Sequence, residues 1–237
     1  MQKTIQPIDD GSCNDGGGGG CENSQTIVGP LLSTTWGQTG TYNDLVQNEN
    51  CNTGTPPTGC VATAMAQIMN YHEFPNNYNW ADMPDNRGTL ETASLMRDIG
   101  QAVNMEYTCS SSGAHMEDAT SAFSRDFGYQ NASFGGYNHS TVKQQLGWGR
   151  PVMLSGYRTK EKKCFLFFCS TTYKNGHAWV CDGYRRTFYC ETGTSYLHLY
   201  MNWGWDGNLN GWFAYNRWNP GTRDYQYKKE MIYNIRP

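Results

Sequence analysis

Charge is scarce in this 237-residue chain: 16% of residues are Asp, Glu, Lys or Arg, and they sum to −3. A balance this weak leaves no broad basic face, so no nucleic-acid partner is expected. No apolar run reaches the roughly 18–20 residues that a membrane helix needs, so no membrane span is expected in this chain. No Cys/His spacing suits a metal, and neither a metal nor another cofactor is expected. No internal repeat is visible. The opening "MQKTIQPIDDGSC" lacks the apolar stretch of a signal peptide, and Met1 is read as a start from which a leader is missing.

Cysteine, aromatics and glycine are plentiful: nine Cys, 14% Phe, Trp and Tyr, and 27 Gly. Cysteines at this density point to an oxidising compartment, so the chain is expected to be secreted, periplasmic or at the cell surface. The odd count leaves at least one thiol unpaired. Cys13 with Cys21, and Cys164 with Cys169, are near enough in sequence to close local loops. Cys181 and Cys190 are not: nine residues of one strand span about 30 Å, against the roughly 7 Å between Cα atoms that a disulfide tolerates.

Residues 1–29 read as a flexible Gly-rich tail, pinned at most by its two cysteines. A pro-segment remnant and a plain N-terminal extension are both open readings for it. From residue 30 on, one domain is expected. Helical spacing runs through Val61, Met65, Ile68, Met69 and His72, bounded by Pro56-Pro57 and Phe74-Pro75. Further amphipathic helices are predicted at 90–103, 116–128 and 140–149, the last with Ser140 as N-cap. After Pro151 the texture turns aromatic and β-branched: "PVMLSGYR", "GHAWVCDGYRRTFYC", "SYLHLYMNW", "GWFAYN" and "EMIYNI" read as strands. Helices first and strands second predict an α+β fold with an antiparallel sheet.

The stretch "TPPTGCVATAMAQIMNYHEFP", residues 55–75, places Cys60 at a helix entrance behind Gly59. Free N–H groups and the dipole at that end favour a thiolate. Gly59 allows close approach of a substrate, and Ala62, Thr63 and Ala64 keep the end uncrowded. A buried structural cysteine, or a half-cystine with Cys51, explains the same residue without chemistry. A thiolate nucleophile needs an imidazole. His72 lies about 18 Å away along the same helix. His115 and His139 stand at helix entrances and are expected to be exposed, and His198 alternates inside a strand. His177, directly after Gly176 and at the first position of a strand, can project over a cleft edge; an ordinary edge-strand histidine is the alternative. Asn202, between strand and "WGWDG", is placed to orient the ring, with Trp203 and Trp205 shielding it; otherwise this is a Gly-Trp turn. Gln38, in "TTWGQTG", and the Cys60 N–H are the candidate oxyanion donors.

The order Gln38, Cys60, His177, Asn202 is the papain arrangement. "TGCVATAMAQIMNYHEFP", "GHAWVCDGY" and "NWGWDG", with "LLSTTWGQTGTYND", "LMRDIGQAVNMEYTCSSSGA" and "FSRDFGYQNA", resemble the streptopain family of secreted bacterial cysteine proteases, in the papain clan. The likeness runs from about residue 31 to 237. It implies a papain-like domain over 30–237, helical N-terminal half against antiparallel sheet, with the cleft between them. It implies Cys60 as nucleophile, His177 as base and acid, Asn202 as orienter, Gln38 as oxyanion donor and Trp203 and Trp205 beside the site. It also implies protein or peptide substrates, and a precursor held inactive by a pro-segment. No full pro-domain is present, so the mature or nearly mature form is expected. Residues 158–175 depart from the family pattern by lengthening the connection before His177, and "RRTFYCETGTS" lengthens the hairpin after it. The extra cysteines depart from it as well. The apolar "CFLFFC" is expected to line or cover the cleft. A transglutaminase-like acyltransferase or amidase would use the same Cys-His-Asn set, and an inactive surface-binding module would keep the fold alone.

Overall fold

A computed structural model of the chain describes residues 21–46, 51, 54–166 and 168–237. Helices α1 (Cys60–His72), α2 (Leu90–Ala102), α3 (Met116–Arg125) and α4 (His139–Gly147) precede most of the sheet. The strands are β1 (Ser24–Val28), β2 (Glu106–Tyr107), β3 (Ser112–Gly113), β4 (Ser133–Gly136), β5 (Val152–Phe165), β6 (Phe168–Tyr189), β7 (Thr194–Asn202), β8 (Gly211–Ala214) and β9 (Tyr227–Tyr233). The seven-stranded sheet has the order β4-β9-β5-β6-β7-β8, with β1 beside the far end of β6; β2 and β3 form a separate pair. Every pairing in it is antiparallel. The α+β expectation holds, with two strands more in the large sheet than the sequence suggested: β1 comes from the stretch read as tail, and β4 from residues to which no element was assigned.

Strand alternation explains how one sheet buries both faces. Along β6, Ala178 and Val180 face the cluster built on α1, α2 and α3; Trp179 and Cys181 face a second cluster with Val142 and Leu146 of α4. Trp179, Trp203 and Trp218 are fully buried in that second layer. Each aromatic of this size removes about 150–250 Å² from water, or about 4–6 kcal/mol of transfer free energy. The middle of β6, which carries His177, is therefore among the most firmly anchored segments of the chain.

The described part of the 1–29 tail is not loose. Ser24–Val28 pair with Tyr184–Phe188 of β6, and Cys21 is joined to Cys190. Leu31 N–H donates to the Asp182 carbonyl and Leu32 N–H to its carboxylate, at 2.9 and 3.0 Å. Burial pushes the Asp182 carboxyl up to about 7, against the pull of those amides. Cys21 is thus not paired with Cys13, which lies outside the described residues. Cys51 pairs with Cys109, not with Cys60, and Cys164 with Cys169 as expected. Cys60 and Cys181 are free thiols. Disulfides of this kind belong to an oxidising compartment.

Two local expectations are corrected. The N-cap of α4 is Asn138, whose side chain accepts from Thr141 N–H at 3.0 Å; Ser140 lies inside the helix. An Asn two residues earlier competes successfully because its carbonyl reaches the same orphan amides. His177 is not the first residue of its strand: β6 begins at Phe168, and the 158–175 segment is the outer part of a long β5–β6 hairpin.

Candidate active site

Cys60 is the first residue of α1, and Gly59 is its N-cap with φ +90°. A side chain is disfavoured there twice over: the backbone lies in the left-handed region, and a Cβ would sit 2.7 Å from the Met105 sulfur. Glycine brings no capping side chain to the first amides of α1. The Cys60 sulfur accepts a hydrogen bond from the Ala178 N–H at 3.3 Å. The thiol is thereby held one peptide beyond His177, although the two residues are 117 positions apart.

His177 is 8% exposed, and its Nε2 lies 2.8 Å from the Trp203 carbonyl oxygen. A carbonyl only accepts, so Nε2 carries the proton and Nδ1 is left as the proton acceptor. Trp205 stacks on the imidazole with centroids 4.7 Å apart, and Arg223 lies over the Trp205 ring at 4.5 Å. Tyr225 closes another side of the ring at 5.5 Å. Burial lowers the His177 pKa to about 4; the Trp203 carbonyl opposes this and Arg223 adds to it. Burial likewise raises the Cys60 thiol, opposed by the amides of Ala178, Val61 and Cys60 itself. A lone charge on either group is unfavourable, and both groups line the same cleft.

Asn202 does not reach the imidazole. Its Nδ2 donates to the Thr34 carbonyl at 2.7 Å and to Gln67 Oε1 at 3.1 Å, while its Oδ1 accepts from Gly204 N–H at 3.3 Å. Gln67 Oε1 also accepts from Thr34 Oγ1 and Trp36 N–H, both at 3.2 Å. This buried knot joins α1, the 34–36 segment and the end of β7, and so sets where the next carbonyl, that of Trp203, points. The sequence reading missed the carbonyl because any residue type supplies one. It also missed Gln67, although a polar side chain one turn beyond Thr63 on the buried face of α1 was visible. Asn202→Ala is expected to lower stability by about 1–3 kcal/mol, through unpaired buried partners, and kcat/KM by about tenfold or less. Chemical denaturation beside peptide kinetics checks this; a loss near that of deleting His177, at unchanged stability, would put Asn202 on the ring itself.

Gln38 lies beside the same helix entrance. Its carbonyl accepts from Thr58 N–H at 2.9 Å, and Thr63 Oγ1 reaches the Gly37 carbonyl at 3.3 Å. Its side chain is half-buried and is not among the residues lining the cleft. The cleft itself is a cavity of about 220 Å³ that includes Cys60, His177, Gly176, Ser155, Tyr157 and Glu230 on its walls. Gly176 keeps one wall low: a Cβ there would meet the Tyr157 ring at 2.8 Å.

The remaining histidines stay apart from this site. His72 Nδ1 meets the Tyr129 hydroxyl at 3.2 Å, and burial takes its pKa down to about 4. His115 is exposed before α3 as expected, whereas His139 is half-buried against Tyr215. His198 is a half-buried residue of β7. Within "CFLFFC", Phe165 and Leu166 do not cover the cleft: each is 79% exposed at the far end of the hairpin. Among the described residues, no His/Cys/Asp/Glu group is arranged to hold a metal ion, and no helix is long and apolar enough to cross a membrane.

Residues 36–78 and 76–213 match the model of the Peptidase C10 family. The chain is 28% identical over 202 residues to streptopain of Streptococcus pyogenes, covering 70% of this chain and 47% of streptopain. It is 27% identical over 229 residues to the thiol protease/hemagglutinin PrtT of Porphyromonas gingivalis, covering 76% of this chain and 24% of PrtT. The chain therefore spans about half or less of the length of these relatives. Active wild-type interpain A of Prevotella intermedia superposes with a TM-score of 0.68 at 28% identity, over 87% of this chain and 94% of interpain A. A prointerpain A fragment superposes with a TM-score of 0.65 at 26% identity, over 89% and 73%.

Proposed function

The chain belongs to the Peptidase C10 family, a family of cysteine peptidases, and from that premise we propose that it is a cysteine endopeptidase with Cys60 as nucleophile and His177 as base and acid. The observation that carries this reading is the Cys60 sulfur held by the amide that follows His177, with the other side of the imidazole tied to the Trp203 carbonyl. His177 Nδ1 takes the thiol proton as the sulfur attacks a peptide carbonyl. A C–S bond forms, and the carbonyl oxygen becomes an oxyanion facing the Cys60 N–H and, in this reading, the Gln38 amide. His177 then returns the proton to the leaving amine as the C–N bond breaks. Water, deprotonated by His177, attacks the thioester; a carboxylate leaves and the thiol is restored. Trp205 and Tyr225 exclude water from the imidazole, and Asn202 positions the Trp203 carbonyl through its bonds to Thr34 and Gln67.

The substrates are proteins or peptides that lie across the cleft with Gly176 as its low wall. We read residues 30–237 as the peptidase domain, secreted, and residues 1–29 as an N-terminal extension whose end is strapped to β6. We also carry over the expectation of a precursor inhibited by a pro-segment. Incubation with a peptide library, with and without an epoxide-type thiol alkylator, tests the central reading. New free carboxylates that vanish on alkylation are the expected result; new isopeptide bonds without hydrolysis, or no reaction, would overturn it.

A further inference from the structure

The outer β5–β6 hairpin stands free of the sheet. β5 loses its β9 neighbour after Tyr157, and β6 gains its β7 neighbour only at Val180. From Arg158 to Phe165 the ribbon extends eight residues, about 26 Å at 3.3 Å per residue. A two-stranded ribbon of this kind is marginal alone, and the Cys164–Cys169 disulfide ties its last rungs. At its end Phe165 and Leu166 are each 79% exposed, and Leu166 holds the left-handed backbone at φ 52°. A bulky apolar residue is disfavoured in that turn position and gains no burial in return.

Charge is segregated onto the same ribbon. Residues 158–175 hold five basic side chains and one acidic, net +4, in a chain of total −3, so the remainder carries −7. Lys174 is paired with Glu161 at 2.9 Å. Lys160, Lys162 and Lys163 are exposed and take part in no ion pair among the described residues. Lys162 and Lys163 stand about 7–10 Å behind Phe165 along the strand, a distance that matches the depth to which interfacial apolar residues enter a bilayer.

We propose that this ribbon is a membrane-docking finger: Phe165 and Leu166 enter the outer acyl region of an anionic phospholipid surface while Lys160, Lys162 and Lys163 contact its headgroups. A soluble polyanion would use the lysines alone and leaves the apolar tip without a role; a neutral bilayer leaves the lysines without one. Tyr157 and Gly176, at the base of the ribbon, are also walls of the cleft. Docking therefore brings the cleft to within a ribbon's length of the lipid surface, whatever chemistry the cleft performs.

The test is co-sedimentation of the whole chain, alkylated at Cys60 to prevent self-cleavage, with vesicles of phosphatidylcholine alone or mixed with phosphatidylglycerol. Binding is expected to the mixed vesicles only, and to weaken as salt is raised. Phe165→Ser with Leu166→Ser, and separately Lys160→Gln with Lys162→Gln and Lys163→Gln, are each expected to lower partitioning by about tenfold or more. Soluble-peptide cleavage by the unalkylated variants serves as the folding control and should be unchanged. Absence of vesicle binding by the parent chain overturns the proposal. So does binding that the tip variant retains in full, or that heparin in solution matches, since either outcome marks a polyanion site.

Discussion

Replacing Cys60 with alanine is expected to lower kcat/KM for peptide cleavage by about 10³-fold or more, with little change in stability. The two halves of this expectation have separate causes. In the proposed mechanism the sulfur is the atom that bonds to the substrate, and no other described thiol can stand in for it: Cys181 is buried behind β6 in the layer that holds Trp179. Alanine is well tolerated at the first position of a helix. The substitution removes the sulfur that accepts a hydrogen bond from Ala178 N–H, a weak bond to a soft acceptor. Steady-state kinetics on a cleaved peptide, beside a denaturation curve, separates the two effects. Retained cleavage would remove Cys60 from the chemistry.

His177→Gln is expected to cost about 10³-fold in kcat/KM, near the middle of the range for a positioned acid–base group. In the parent chain the pH profile carries the signature of burial. The His177 pKa is lowered from 6.5 to about 4, so the ring stays neutral and able to accept a proton well below the ordinary histidine range. The acid limb of kcat/KM is therefore expected near pH 4, with activity falling as pH drops through that value. Stability follows the same sign. His177 and His72 both have folded values near 4, so the unfolded chain binds protons first as pH falls from 6.5. Their contribution is complete above 6.5 and is lost through the window down to about 4. Asp182 runs in the opposite direction: its folded value of about 7 exceeds 3.8, so its share of stability is lost as pH rises between those values. With two histidines against one aspartate, the net loss is on the acid side.

Elements with a local cause were legible in the sequence. α1 could be placed because Pro56-Pro57 and Gly59 forbid helix before Cys60 and Phe74-Pro75 forbids it after, with apolar spacing between. The strands after Pro151 showed as aromatic and β-branched runs. β1 did not show, because "SQTIV" is short, follows five glycines, and acquires its strand character only from a partner near residue 186. The pairings Cys21–Cys190 and Cys51–Cys109 were hidden for the same reason, being set by proximity in the fold rather than by spacing. His177 was found but misplaced, since nothing in "YKNGHAW" signals that the strand has already run nine residues. Asn202 was assigned to the imidazole by its type, whereas the fold spends its side chain on Thr34 and Gln67 and presents the neighbouring carbonyl instead.

The rate of Cys60 alkylation by iodoacetamide as a function of pH, in the parent chain and in His177→Gln, bears most directly on the pairing of sulfur and imidazole. With His177 present, alkylation is expected to remain fast from neutral pH down towards about 4. Without it, the rate should rise only at the alkaline pH at which an unassisted thiol of raised pKa ionises. Superimposable profiles for the two chains would show that the imidazole does not take the thiol proton, and would contradict the account.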